Sequence, residues 1–156
     1  MIKGALLLFS HLFIGGVGFA LGIYALPILT QPASPEMTSV EQISNHALFS
    51  GTFQRERQDS DFLHWGEGSV SLTDSQVVFI GELAPGPDYK LYLSPIYIET
   101  EAAFHQHKNR MAQVGDIRTF DRFSIDLPAD IKVEEFNTVI VWCESFGQFI
   151  TSARYN

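Results

Sequence analysis

The residues from Gly4 to Leu29, GALLLFSHLFIGGVGFALGIYALPIL, carry no formally charged side chain. Ser10 and His11 are the only strongly polar members of the run. Wound as a helix rising 1.5 Å per residue, it is about 39 Å long, enough to cross a hydrocarbon core of roughly 30 Å with tilt. A helix resting on a soluble core keeps a polar face, and this sequence offers none. The run also exceeds the roughly 7–15 apolar residues of a secretory signal, and Gln31-Pro32-Ala33 makes a poor cleavage site. Residues 1–30 therefore read as an uncleaved transmembrane anchor, with the lipid bilayer as the partner of residues 4–29. Lys3 is the only basic residue before the span, and Glu36 is the first charge after it. The positive-inside rule then places the N-terminus in the cytoplasm and the rest outside, in the periplasm of a Gram-negative cell. Gly18 and Gly22 have the small-xxx-small spacing of a homodimer face, or are glycines of the kind membrane helices tolerate.

Residues 31–45 form a linker with two prolines and small polar side chains, to which the neighbourhood of Glu41–Ser44 adds a helical turn. From residue 46 to 156 the pattern changes to short β-like runs cut by turn signals. These runs cover Ala47–Phe53, Ser69–Leu72, Val77–Ile80, Lys90–Ser94, Ile96–Ile98, Ile117–Phe120, Phe123–Leu127, Thr138–Cys143 and Gln148–Arg154. Thr73-Asp74-Ser75 and Glu144–Gly147 turn hairpins, Ala84–Asp88 is a strong break, and Glu101–Gln113 holds one short helix. Short strands at near-regular spacing, without βαβ alternation, predict an all-β domain, an antiparallel sandwich or barrel. The 13 phenylalanines supply it with an aromatic core. A net charge of -8 without a basic cluster excludes nucleic acid as a partner, because phosphate must be met by cations.

No phosphate-binding loop, dinucleotide fingerprint, nucleophile elbow or Cys-x-x-Cys pair is present. Nothing in the sequence builds a conventional catalytic constellation, so the reading leans away from an enzyme. His105 and His107 fall in a solvated loop or helix, and no metal site is assigned to them. His64-Trp65-Gly66-Glu67-Gly68 has the composition of a tight bend where backbone approaches something closely. It is either a turn with a packing aromatic or the wall of a ligand pocket. Period two along Val139–Glu144 places Val139, Val141 and Cys143 on one face and Ile140, Trp142 and Glu144 on the other. Cys143 is the only cysteine. Outside the cytoplasm a solitary thiol is either a small buried hydrophobe or a paired, ligating or reactive group.

The run Asn137–Phe146, NTVIVWCESF, with Gln148, Phe149 and Ala153, resembles the signature of the DM-thirteen domain. So do Phe49–Phe53, His64–Gly68 and Pro85–Ser94, PGPDYKLYLS. The resemblance covers about Ala47 to Tyr155. It implies a small all-β domain with an electron-transfer or redox role centred on the cysteine, here Cys143, acting as a bare thiol or through a prosthetic group such as haem. By their own composition and place, His64, Trp65 and Trp142 are the candidates for holding a cofactor, and a separate redox protein is the electron partner. Two departures stand out. Thr119–Phe123 and Ile125–Pro128 replace the family's Lys-Gly turn and Tyr-containing strand, and the chain brings its own anchor without a companion DOMON or cytochrome module. The rival reading is a non-catalytic binding or scaffold β-module with Cys143 in its core.

Overall fold

The computed structural model describes residues 2–156. Its first element, α1 (Ile2–Thr30), is one continuous helix with no buried residue. An 18-residue window of it has a mean hydropathy of 2.1, so it is long and apolar enough to cross a membrane. Pro27 sits in its last turn. Residues 31–36 leave the helix extended and are tied to the domain: the Ser34 hydroxyl donates to Asp121, and Arg122 Nε donates to the Pro35 carbonyl at 2.6 Å. A short helix, α2 (Met37–Ser44), follows and buries Val40 completely. It lies over the outer face of the first sheet, against β2, β3 and β6.

The domain is built from β1 (Phe49–Phe53), β2 (Gly66–Leu72), β3 (Gln76–Leu83), β4 (Tyr89–Ser94), β5 (Ala112–Ile117), β6 (Arg122–Asp126), β7 (Thr138–Cys143) and β8 (Gln148–Arg154). They form two four-stranded antiparallel sheets, ordered β1-β2-β3-β6 and β5-β4-β7-β8. The expected antiparallel sandwich is thus the observed fold. Between the sheets Phe79 packs against Phe53 and Phe123 at ring distances of 5.4 and 5.1 Å, within one continuous apolar core. Offset and tilted rings at such distances add to simple burial.

A second core covers the outer face of the second sheet. There α3 (Glu101–His107) roofs Tyr92, Ile140, Trp142 and Phe149. Its N-cap Thr100 accepts the Ala103 backbone N–H, which starts the helix where the sequence has a Thr-Glu pair. The Phe104 ring stacks on Trp142 at 3.9 Å and 9°.

Three elements differ from expectation. The first is the tight bend expected at His64–Gly68, of which Gly66–Gly68 instead open β2 and pair with β3. The missing Cβ atoms of Gly66 and Gly68 admit Leu83, Thr151 and the β3 backbone. A strand at Ala112–Ile117 replaces the one expected at Ile117–Phe120, and Ile96–Ile98 is not a strand. Gln113, Gly115 and Asp116 are poor strand formers, and β5 is held by its pairing with β4, with an irregularity at Leu91/Tyr92. Residues 119–121 instead bend across the end of β3, where Phe120 O accepts Leu83 N–H and Asp121 O accepts Gly81 N–H. Beyond Pro95 the chain leaves the ladder, and Ile98 serves the second core.

Candidate functional site

The β4–β7 register sets Tyr89 directly across from Cys143. Side chains opposed in this way share a face, and both point between the sheets. The β3–β4 loop and the β7–β8 turn lie beside each other at this end of the sheet. Asp88 clamps them. Its carbonyl accepts the Glu144 N–H at 3.0 Å, and its carboxylate accepts the Ser145 hydroxyl at 2.8 Å. Lys90 Nζ lies 2.9 Å from Asp88 and 2.8 Å from Asp116. These hydrogen bonds hold the Asp88 carboxyl below its ordinary range. The turn itself needs Gly147, whose φ of 63° is left-handed backbone.

A cavity of about 240 Å³ opens where these two loops meet α1. Tyr89 and Cys143 form part of its wall, with Pro85, Gly86 and Pro87 above them. Leu63 and His64 come from the loop before β2, Phe146 from the β7–β8 turn, and Ala20, Ile23 and Tyr24 from α1. Gly86 is required here, because a Cβ at that position would collide with the Tyr89 ring. The lining is mostly apolar with a few convergent polar groups, the usual character of a small-molecule site.

Each polar group has a definite state. Cys143 is a free thiol only 2 % exposed. Burial pushes its pKa up, while the backbone N–H groups of Phe146, Asp88 and Ser145 pull it only partly back. It is therefore a protonated thiol at neutral pH. Tyr89 is also 2 % exposed, its ring edge-on to Phe120 at 6.1 Å. Among the described residues, no hydrogen bond reaches its hydroxyl. Burial first, then the nearby Cys143, raises its pKa.

His64 Nδ1 is 3.0 Å from both oxygens of Asp61. The carboxylate also accepts the backbone N–H groups of Leu63 and His64 at 2.7 and 2.8 Å. Burial raises the Asp61 pKa, but these bonds outweigh it and leave the carboxyl below its ordinary value. Because a carboxylate only accepts, Nδ1 carries a proton, and Nε2 is the acceptor in the neutral form of the ring.

The cavity thus brings together two of the four residues singled out from sequence, Cys143 and His64. Trp65 lies in a neighbouring cleft with Tyr24, Ile28 and Phe120, with the Arg55 guanidinium 3.4 Å from its ring centre. Trp142 points to the other side of β7, into the second core. His105 stands edge-on to Trp142 at 5.1 Å. Among the described residues, no group of three or more His, Cys, Asp or Glu side chains could hold a metal ion. Sequence reading passed over Asp61, and met Tyr89 and Phe146 only as members of the Pro85–Ser94 and Asn137–Phe146 runs. The Asp61-x-x-His64 spacing was one available signal. The register that opposes Tyr89 to Cys143 emerges only from strand pairing.

A family model described as Electron transfer DM13 matches residues 53–155, from the end of β1 through β8. The chain belongs to this family. No curated protein matches it, and no solved structure does. In this DM13 domain the room beside the cysteine bears on haem. A volume of about 240 Å³ is below the roughly 300–1,000 Å³ of sites for drug-sized ligands. A porphyrin does not fit, and a protonated thiol is not the form that ligates iron.

Proposed function

We propose that this DM13 chain is a membrane-anchored protein whose extracytoplasmic domain handles electrons at the Cys143 cavity. The observation that carries the reading is the convergence of Cys143, His64 and Tyr89 on one small, mostly apolar cavity that α1 also lines. The family assignment supports the redox class. The uncharged span and its flanking charges support the anchor and its orientation.

A single thiol that stays protonated does not act as a fast nucleophile. Its place in the wall suits it to orienting a redox-active molecule through S–H and dispersion contacts. Electrons then arrive from, or leave to, a separate redox protein. The scaffold reading is favoured by the burial of Cys143 and is separated from ours by function. Replacing Cys143 with Ser in the host should reduce a membrane redox activity that depends on this protein. Unchanged activity in that strain, with the variant present at normal levels, would favour the scaffold.

A further inference from the structure

We propose that the Cys143 cavity binds the ring head of a lipid-soluble quinone that enters from the bilayer. The inference rests on the electron-handling reading above and names its small-molecule partner.

The first argument is depth. Counting from Gly4, about 20 residues of helix span the roughly 30 Å hydrocarbon core and bring Tyr24 to its outer edge. Tyrosine is enriched at that boundary. The α1 wall of the cavity is Ala20, Ile23 and Tyr24, which on this count of residues puts the cavity where acyl chains meet headgroups.

The second argument is the rim. Phe62 is 88 % exposed, Phe146 53 % and Leu63 49 %. Single exposed apolar residues are ordinary. Here Leu63 and Phe146 line a cavity that α1 also lines, and Phe62 adjoins them in sequence. Large apolar side chains beside a membrane helix are accommodated by the interface rather than by water.

The third argument is the hydrogen-bonding inventory. Tyr89 is buried in the cavity wall as a residue, and among the described residues its hydroxyl has no acceptor, but the hydroxyl is not itself a fully buried unpaired atom and so reaches the cavity space. Cys143 offers a second donor, the thiol proton. The nearby carboxylates are already occupied, Asp61 by His64 and two backbone N–H groups and Asp88 by Ser145 and Lys90. Donors that face the cavity without a protein acceptor suit a ligand that brings acceptors. A quinone ring has two carbonyl acceptors, no donors and an apolar tail. Its reduced form has hydroxyl donors, for which Nε2 of a neutral His64 is an acceptor. The cavity has room for a ring, and the tail remains in the lipid. The proposal is one of binding, and no covalent bond forms or breaks.

The test uses the full chain in quinone-free lipid nanodiscs, photolabelled with an azido-quinone and mapped by mass spectrometry. Label is expected on peptides containing Leu63 or Phe146, displaced by short-tail ubiquinone or short-tail menaquinone. Ala20→Trp, which fills the cavity from the helix side, should weaken labelling at least about tenfold, the scale of one lost good contact. Ile23→Trp serves as a second filling variant, and Ile14→Trp, away from the cavity, should label normally. Label that is not displaced, or that is indifferent to both filling variants, overturns the proposal. If displacement fails while Cys143→Ser still lowers the host's redox activity, only the quinone assignment falls. If both fail, the electron-handling reading falls with it.

Discussion

Trp142 and Cys143 are neighbours on β7 and meet opposite environments. The Trp142 side is filled: Phe104 stacks on the indole, His105 closes its edge, and Ile140 and Phe149 complete the layer. The Cys143 side is filled along Val139 and Val141 but ends in a cavity walled by His64, Pro85 and Tyr89. A strand alternates its side chains, so one segment can serve a dense core on one face and a site on the other. The difference also shows what holds each side. Shape holds the Trp142 side. Hydrogen bonds and glycine hold the Cys143 side: Asp88 clamps the turn, Asp61 fixes His64, and Gly86 admits the Tyr89 ring.

Truncation should break this comparison most visibly. Trp142→Ala should cost about 3–5 kcal/mol in chemical denaturation, the usual range for a buried aromatic. Cys143→Ala should cost about 1 kcal/mol, because the cavity already deprives the sulfur of neighbours on one side. Equal losses would mean that the two faces are equally packed.

The seam between the faces gives a smaller effect. Glu144 lies between the Tyr92 hydroxyl and Lys108 Nζ, at 2.8 and 2.9 Å from the latter, and joins the end of α3 to the turn after Cys143. Glu144→Gln should cost on the order of 1 kcal/mol, since the pair is partly exposed. Hydrogen exchange should rise in α3 while the cavity loops keep their protection.

Alkaline pH sharpens the contrast further. Burial raises the Cys143 pKa, so the folded state disfavours the thiolate. That contribution to stability is fully present below the unfolded thiol value of about 8.5 and is lost as pH rises from there towards the folded value. Cys143→Ser should flatten part of the stability loss above about pH 8.5. Tyr89 adds a further loss of the same sign, which the variant retains. An unchanged slope would show that the thiol is not desolvated.

The smallest change expected is in His64. Asp61→Asn should alter global stability by less than about 0.5 kcal/mol, as for most surface substitutions. Imidazole nitrogen shifts should nevertheless report loss of the fixed Nδ1–H tautomer. A fixed tautomer in the variant would mean that something other than Asp61 orients the ring.

Much of this architecture was legible in the sequence. The long apolar helix announces itself by its lack of charge, and the strands flanking Thr73–Ser75 and Glu144–Gly147 by alternation and turn chemistry. The two faces of β7 followed from period two alone. β5 was hidden because Gln113, Gly115 and Asp116 have little strand character, and long-range pairing with β4 overrides it. The site was half visible. Cys143 and His64 stand out by composition, whereas Tyr89 is one of five tyrosines until register places it opposite the thiol. Trp142 looked like a companion of Cys143 because it is adjacent, yet adjacency on a strand means opposite faces.

The most direct measurement is the reach of the Cys143 sulfur in the native full chain, reconstituted in lipid. A small apolar reagent, N-ethylmaleimide, and a bulky charged maleimide should be compared by rate. The account predicts slow but complete alkylation of the native protein by the small reagent, accelerating with pH beyond the range of an ordinary thiol. The bulky reagent should label only after denaturation, since the cavity is about 240 Å³ and faces α1. Equal reaction of both reagents in the native state, or no reaction of either before denaturation, would contradict it.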